Sequence, residues 1–261
     1  MIIILAFIFG LLIGSFLNAV IYRLYRNLPL GADRSMCPHC KHVLSPLDLV
    51  PILSFIWLRG RCRYCKAKIS WQYPIVELLT GISFALLAYN YGLRITDYGF
   101  WFQLAFIAFL ILIAVFDLKY YLILDKVSIP AIVLAVIWRI VSDFHSNNFG
   151  WHSPLAGGVF GAVIISGFFG LQYLASRGRW IGLGDVKLGL FLGLIFGVGQ
   201  GLVYLLLSYW IGALVGLVLV AANQKKMSGK LPFGTILGFS GIIMLLYGSS
   251  LLAWYLHLVG F

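Results

Sequence analysis

Charged side chains, and acidic ones above all, are scarce in this sequence. Of its 261 residues only 8 are Asp or Glu and 10% carry a charge, whereas 62% are hydrophobic. Soluble domains have about a quarter of their residues charged, so the composition excludes a soluble enzyme or binding protein. Long apolar runs take the place of the missing charge, and they predict an integral membrane protein.

Eight apolar runs are long enough, or nearly long enough, to cross a bilayer as helices of ~20 residues. The sixth and seventh are almost continuous through Gly197, Val198 and Gly199, so seven or nine crossings are also compatible with the sequence. The predicted fold class is all-α, a polytopic membrane protein with about eight transmembrane helices. The runs lie near residues 2–22, 74–91, 100–118, 127–141, 154–175, 183–198, 200–221 and 234–257.

Positive charge is missing from Met1 to Phe9, and no small-residue cleavage site follows. A cleavable signal peptide has both features, so the first run is predicted to be a membrane span. Lysine and arginine are instead concentrated in alternate gaps between the runs, which contain 17 of the 19. Because cytoplasmic loops carry the excess of positive charge, the long first loop is predicted to be cytoplasmic and both termini outside.

Two basic residues, Arg94 and Arg139, lie in or beside the opposite gaps, and the seventh gap contains Lys225, Lys226 and Lys230. The net charge of +11 is explained by this topology. Basic residues do not cluster with aromatic ones outside these loops, so no nucleic-acid partner is predicted.

Cysteine occurs four times, always in the loop of residues 26–72, as CPHC and CRYC. Two C-x2-C pairs separated by 21 residues are typical of a structural zinc site. A reducing cytoplasm disfavours disulfides, and a loop of this size has little apolar core of its own. Four reduced cysteines without metal are the alternative, while a catalytic zinc would lack an open position for water. The predicted ligands are Cys37, Cys40, Cys62 and Cys65.

Four of the eight acidic residues lie where an apolar run meets the cytoplasmic side, and they are Glu77, Asp117, Asp125 and Asp185. An ionisable residue on a membrane helix indicates a functional site. Two carboxylates at one depth on different helices can share a proton and act as base and acid. The structural alternative is that Asp185 caps a helix N-terminus and that Asp117 pairs with Lys119 or Arg177.

Six motifs in order resemble those of the bacterial type IV prepilin peptidases, bifunctional leader peptidases and N-methyltransferases of the GxGD aspartic protease group. They are GSFLNAVIYRL from Gly14, the two cysteine pairs, YPIVELLTG from Tyr73, FDLKYYLILD from Phe116, GLGD from Gly182 and LPFGTILGFSG from Leu231. The likeness extends over nearly the whole length. It departs at Tyr25, Leu124 and Thr235, where the family commonly has proline.

The resemblance implies that Asp117 and Asp185 are catalytic and that the substrate is a prepilin or pseudopilin of a type IV pilus, protein secretion or DNA-uptake system, anchored in the lipid bilayer. It also implies methylation of the new N-terminus by S-adenosylmethionine. Gly60 and Arg61 match a Gly-Lys pair that the family uses for this activity, and Glu77 is placed near the cationic cofactor. For Glu77 the alternative is a helix-start carboxylate favoured by the helix dipole. No GxGxxG follows a strand, so a Rossmann domain is excluded.

The predicted organisation has three parts. Residues 1–25 form the first transmembrane helix, residues 26–72 a cytoplasmic zinc-binding loop with the methyltransferase part, and residues 73–261 a seven-helix membrane domain with the peptidase site. The expected location is the cell (inner) membrane, with the loop and the active site on the cytoplasmic side. The alternatives are a peptidase without methyltransferase activity, a transporter, which usually shows repeated halves, and a non-catalytic zinc-containing scaffold.

Overall fold

The computed structural model describes residues 1–31, 34–92, 94–222 and 231–260, without the side chain of Val259. Within these ranges the chain forms eight α-helices, two short 3-10 helices and two isolated β-bridges, and no strands. Lys225, Lys226 and Lys230 lie outside the described residues. The helices are α1 Ile2–Tyr25, α2 Leu53–Trp57, α3 Gln72–Tyr91, α4 Tyr98–Tyr120, α5 Asp125–Ser146, α6 Pro154–Ser176, α7 Leu183–Ala221 and α8 Phe233–Val259.

Seven of these helices, all except α2, are long and apolar enough to cross a membrane. Six of them match six of the eight predicted runs closely, and α7 covers the other two. The prediction of an all-helical polytopic membrane protein is confirmed. The chain divides into two compact units, Met1–Leu112 and Ile113–Phe261.

The longest helix, α7, consists of two halves that fold back on each other. Its 39 residues include Gly197 at φ 66° and ψ −160°, a conformation essentially restricted to glycine. Residues 189 and 201 would be about 18 Å apart along a straight helix. A Cβ on Gly189 would nevertheless lie 3.4 Å from Ile165 Cγ2, and one on Gly201 2.7 Å from Ile165 Cδ1. The chain therefore reverses at Gly197, and the halves correspond to the predicted sixth and seventh crossings.

The reversal leaves backbone carbonyls at the end of the first half of α7 without helical partners. Arg139 of α5 supplies the donors: its Nε lies 2.6 Å from the Leu194 oxygen and its Nη2 2.7 Å from the Ile195 oxygen. This contact explains why a basic residue lies in a membrane helix away from the predicted cytoplasmic side.

In the first unit, α1 and α3 bring their backbones into direct contact. A Cβ on Gly10 would lie 2.7 Å from Gly81 Cα, and one on Gly14 2.6 Å from Glu77 Cα. Small residues at such positions allow membrane helices to approach closely. The packing fixes Glu77 against α1.

In the second unit, α6 meets the first half of α7 in the same way. A Cβ on Gly161 would lie 2.6 Å from the Gly193 oxygen, and one on Gly193 2.5 Å from Ala162 Cα. One turn earlier on α7, a Cβ on Gly189 would lie 2.6 Å from Cδ2 of the fully buried Phe169. The first half of α7, which begins at the GLGD motif, is thereby held firmly against α6.

Candidate functional site

The four cysteines come together in the first unit. Their Sγ atoms all lie within 4.8 Å of one another, and the Sγ atoms of Cys37 and Cys65 are 3.9 Å apart. Four thiolates bound tetrahedrally at a Zn–S distance of ~2.3 Å are separated by ~3.8 Å. The donor set and its spacing therefore fit one zinc ion, as the sequence predicted.

Each cysteine pair lies in its own tight turn. The two turns have the same pattern of hydrogen bonds and are 25 residues apart in the sequence. In the first, Lys41 N–H donates to the Cys37 oxygen and Cys37 N–H to the His42 oxygen, at 2.9 Å each. In the second, Lys66 N–H donates to the Cys62 oxygen at 3.0 Å and Cys62 N–H to the Ala67 oxygen at 2.8 Å. The β-bridges Met36↔Val43 and Arg61↔Lys68 close the two turns. The first cysteine of each pair is buried and the second exposed.

Asp48 joins the segment between the cysteine pairs to the second turn. Its Oδ1 accepts from Arg63 Nε at 2.6 Å, and its Oδ2 accepts from the Ser45 N–H and hydroxyl at 3.1 and 2.9 Å. Burial acts to raise the pKa of the Asp48 carboxyl, but the hydrogen bonds from Arg63 and Ser45 outweigh it and hold the pKa below its usual value. This carboxylate therefore contributes to loop stability in its ionised form.

Gly60 and Arg61 lead directly into the second turn. Gly60 has φ 67°, donates its N–H to the Phe55 oxygen at 2.8 Å and accepts from the Ile69 N–H at 2.7 Å. The left-handed backbone favours glycine at this position, so Gly60 has a conformational role whatever else it does. The Arg61 side chain is exposed to solvent.

Glu77 is only 6% exposed, on α3, and its Oε2 accepts from the Ile52 N–H at 2.8 Å. Ile52 has φ 60° and ψ −51° at the centre of a three-residue turn in which Leu53 N–H donates to the Pro51 oxygen. That conformation is rare and strained for a β-branched residue. In the described part of the chain Glu77 is thus linked to the N-terminus of α2, and through α2 to Gly60, without a direct contact to Gly60 or Arg61.

Asp117 lies near the end of α4 and is 6% exposed. Its Oδ2 accepts from the Thr235 N–H at 2.8 Å, and the Thr235 hydroxyl oxygen lies 3.2 Å from the same atom. The hydrogen bonds of Asp117 thus come from the start of α8, 118 residues along the chain.

Asp185 lies at the third position of α7 and is 9% exposed. Its Oδ2 accepts from the Gly182 N–H at 3.0 Å, so it stabilises the helix N-terminus as the structural alternative anticipated, although Gly182 is itself the N-cap. Its carboxylate also lies within electrostatic range of Asp117. The capping contact occupies one oxygen and is compatible with a second role for the carboxylate.

The two aspartates are brought together by close packing around Ile123, in the turn between α4 and α5. A Cβ on Gly184 would lie 2.7 Å from Ile123 Cβ, and one on Gly234 would lie 2.8 Å from Ile123 Cδ1 and 3.1 Å from Asp117 Oδ2. A Cβ at residue 184 would clash with Ile123, which explains the second glycine of GLGD, and a Cβ at residue 234 would force Ile123 or Asp117 to move, which favours the glycine of PFG. The sequence motifs contain Gly184, Gly234 and Ile123, but no local pattern in the sequence predicted that these three residues pack together.

Asp125 belongs to the edge of this region. Its side chain is 58% exposed, and its Oδ1 pairs with Lys187 Nζ at 2.5 Å. This ion pair ties the first turn of α5 to the second turn of α7. The four acidic residues predicted at the cytoplasmic ends of the apolar runs therefore differ in burial. Asp117 and Asp185 are buried in the second unit, and Glu77 is buried in the first. Asp125 lies at the surface.

Fold and site together define a polytopic, all-helical membrane protein with a four-cysteine cluster that could hold a metal ion and two buried aspartates from separate helices. The chain belongs to the type IV leader peptidase family, whose model matches residues 104–217, and residues 8–91 match the model of the Bacterial Peptidase A24 N-terminal domain. The protein is therefore a peptidase, and the resemblance seen in the motifs is confirmed.

Curated relatives cover nearly the whole chain. A protein of Aeromonas hydrophila is 33% identical over 97% of this chain and 93% of its own length, and one of Bacillus subtilis is 32% identical over 97% of both. A protein of Neisseria gonorrhoeae is 33% identical over 92% of this chain and 88% of its own length. All three are named prepilin leader peptidase/N-methyltransferase. No solved structure matches the chain significantly.

Proposed function

We propose that this chain is an aspartic endopeptidase that removes the leader peptide from type IV prepilins or pseudopilins and then methylates the new N-terminus. The observation that carries the proposal is the pair Asp117 and Asp185, buried on separate helices whose approach is set by the packing of Gly184 and Gly234 against Ile123. The names of the relatives support prepilins as the substrate class. A non-catalytic scaffold would leave this buried pair without a role.

The proposed hydrolysis uses the two carboxylates as base and acid. Because like charges at short range disfavour double ionisation, such a pair holds one proton. The ionised carboxylate takes a proton from water as the water oxygen bonds to the carbonyl carbon of the last leader residue. The protonated carboxyl then donates to the amide nitrogen as the C–N bond breaks. The products are a leader carboxylic acid, which then ionises in water, and a free pilin amine, and the pair still holds one proton, now on the other aspartate.

The proposed methyl transfer belongs to the loop of residues 26–72, with Cys37, Cys40, Cys62 and Cys65 holding a structural zinc. S-adenosylmethionine, when bound, supplies the methyl group. The free α-amino group has a pKa of ~7.7–8.0, so the neutral nucleophile is available near neutral pH. Gly60 and Arg61 would contact the cofactor, and the Glu77 carboxylate would favour its positive charge.

We further propose that the chain lies in the cell (inner) membrane with this loop and the aspartates on the cytoplasmic side. The concentration of lysine and arginine in alternate gaps supports this orientation. The organisation would then be a first helix of residues 1–25, the loop of residues 26–72 and a membrane domain of residues 73–261. Hydrolysis would belong to the last of these and methyl transfer to the loop.

The peptidase mechanism is tested by Asp117→Asn and Asp185→Asn in purified protein incubated with a prepilin. Each substitution keeps the shape of the side chain but removes its ability to exchange a proton, so each should abolish leader cleavage. Asp125→Asn is the matched control, because Asp125 lies nearby but is exposed and paired with Lys187, and it should cleave near the wild-type rate. Full cleavage by either of the first two variants would refute the mechanism.

The division of the two activities is tested by Arg61→Ala, which spares the cysteines. We expect a cleaved pilin lacking the methyl group, detected by mass spectrometry of its N-terminus. Arg34→Ala, an exposed basic residue before the first cysteine pair, is the control and should methylate normally. If Arg61→Ala methylates normally, or if the wild type never methylates, the loop has a structural or substrate-docking role and the chain is a peptidase alone.

A further inference from the structure

Thr235 contacts Asp117 in two ways and also contacts the helix that contains it. The Thr235 N–H donates to Asp117 Oδ2 at 2.8 Å, and Thr235 Oγ1 lies 3.2 Å from the same oxygen. The same Oγ1 lies 2.9 Å from the Ala114 carbonyl oxygen. Thr235 is 6% exposed, so water competes little for these contacts.

The hydroxyl has one proton and two acceptors within reach, and this permits two arrangements. When Asp117 is ionised, the hydroxyl can donate to the carboxylate. When Asp117 is protonated, the hydroxyl can donate to the Ala114 oxygen and accept the proton of the carboxyl on its own oxygen. The N–H of Thr235 donates to Oδ2 in both cases. The charge state of Asp117 can therefore change without leaving either group unsatisfied.

We propose that Thr235 is a positioning residue whose hydroxyl reverses its hydrogen bond as Asp117 loses and gains a proton during the reaction. This inference rests on the proposed function, in which the shared proton passes from one aspartate to the other in each cycle. A hydroxyl that serves both states avoids the cost of moving a side chain or a water molecule between them. The geometry also keeps the Asp117 carboxylate in one orientation throughout.

Within the described part of the chain, few charged groups lie close to Asp117. Among these residues, Asp185 on α7 is the titratable group within electrostatic range. Lys187, two residues further along α7, is paired with the exposed Asp125 of α5. From α8 the contact comes through Gly234 and Thr235, which carry no charge. If a substitution of Thr235 changes the pH dependence of cleavage, we therefore attribute the change to the pair of aspartates.

The test is Thr235→Val, which keeps the shape of the side chain and the N–H but removes the hydroxyl. Both charge states lose a hydrogen bond, and the ionised state loses the stronger one. We expect kcat for leader cleavage to fall about tenfold, the effect of one hydrogen bond to a charged group. The pH at which cleavage is half-maximal on the acid side should rise by up to about one unit. Thr235→Ser restores the hydroxyl and should recover most of the rate and the wild-type pH profile.

The matched control is Thr80→Val, which removes a buried hydroxyl that donates to the Val76 oxygen at 2.7 Å in the first unit. It should change neither kcat nor the pH profile of cleavage. If Thr235→Val behaves like Thr80→Val, or if Thr235→Ser loses as much activity as Thr235→Val, the inference is wrong. Asp117→Asn and Asp185→Asn distinguish a failure of this inference from a failure of the proposed function. If both of these variants are inactive while Thr235→Val is fully active, the aspartate mechanism stands and only the role of Thr235 is refuted.

Discussion

Replacing Arg139 by methionine should destabilise the protein through the reversal in α7. Methionine keeps an unbranched, apolar stem of similar length but has no donor for the Leu194 and Ile195 carbonyls, which now accept at 2.6 and 2.7 Å. These carbonyls lie just before Gly197, where the helix cannot supply partners of its own. Asp185, at the other end of the same half-helix, would lose part of the support that fixes its position.

The size of the effect follows from the two carbonyls. Each buried acceptor left without a donor costs about 1–3 kcal/mol, which gives about 2–6 kcal/mol for the pair. Hydrogen bonds inside membrane proteins contribute about 0.6 kcal/mol on average, because unfolded segments in the membrane find other partners. Removal of a partly buried charge also offsets part of the loss. We therefore expect the lower end of the range, about 2 kcal/mol.

The assay is equilibrium unfolding in mixed micelles of a mild detergent and SDS, followed by circular dichroism, together with the rate of prepilin cleavage. Arg94→Met is the control, because Arg94 is an exposed arginine whose guanidinium lies 6.0 Å from the Tyr91 ring centroid. It should change the free energy of unfolding by less than about 0.5 kcal/mol. If the free energies of unfolding of Arg139→Met and Arg94→Met differ by less than about 0.5 kcal/mol, Arg139 does not stabilise the reversal.

Three further predictions concern the first unit. Purified protein should contain one zinc per chain, and Cys62→Ser should lose it, as measured by elemental analysis; a metal-free wild type with four freely alkylated thiols would contradict the site. Gly14→Val should push α1 away from Glu77, because the added Cβ would lie 2.6 Å from the Glu77 Cα. This variant should lower methylation more than cleavage. The control is Gly167→Val, whose added Cβ meets nothing within 4 Å, and it should affect neither activity. The ionised Asp48 should stabilise the loop fully above its unfolded-state pKa of about 3.9, and this contribution should be lost as pH falls through the lower folded-state pKa. The difference in protease resistance between wild type and Asp48→Asn should accordingly vanish in acid, and a difference that persists there would refute the assignment.

Several features of the protein could be predicted from local properties of the sequence. The membrane location and the helical class follow from composition and the lengths of apolar runs, because a bilayer imposes both. The clustering of the four cysteines follows from their spacing, since two short turns determine where their thiolates point. The number of crossings near α7 could not be predicted, because Gly197 looks like an ordinary glycine in an apolar run and its backbone conformation is visible only in the structure.

The contacts of the candidate site come from residues far apart along the chain. Thr235 and Asp117 are separated by 118 residues, Arg139 and Leu194 by 55, and Ile52 and Glu77 by 25. The sequence by itself determined which residues are acidic, apolar or able to bind a metal, and where the helices run. Only the tertiary structure decided which of these residues touch. A hydrogen bond across helices depends on the spacing between their backbones, and glycine contacts, a helix reversal and buried side chains set that spacing. No local pattern in the sequence encodes it.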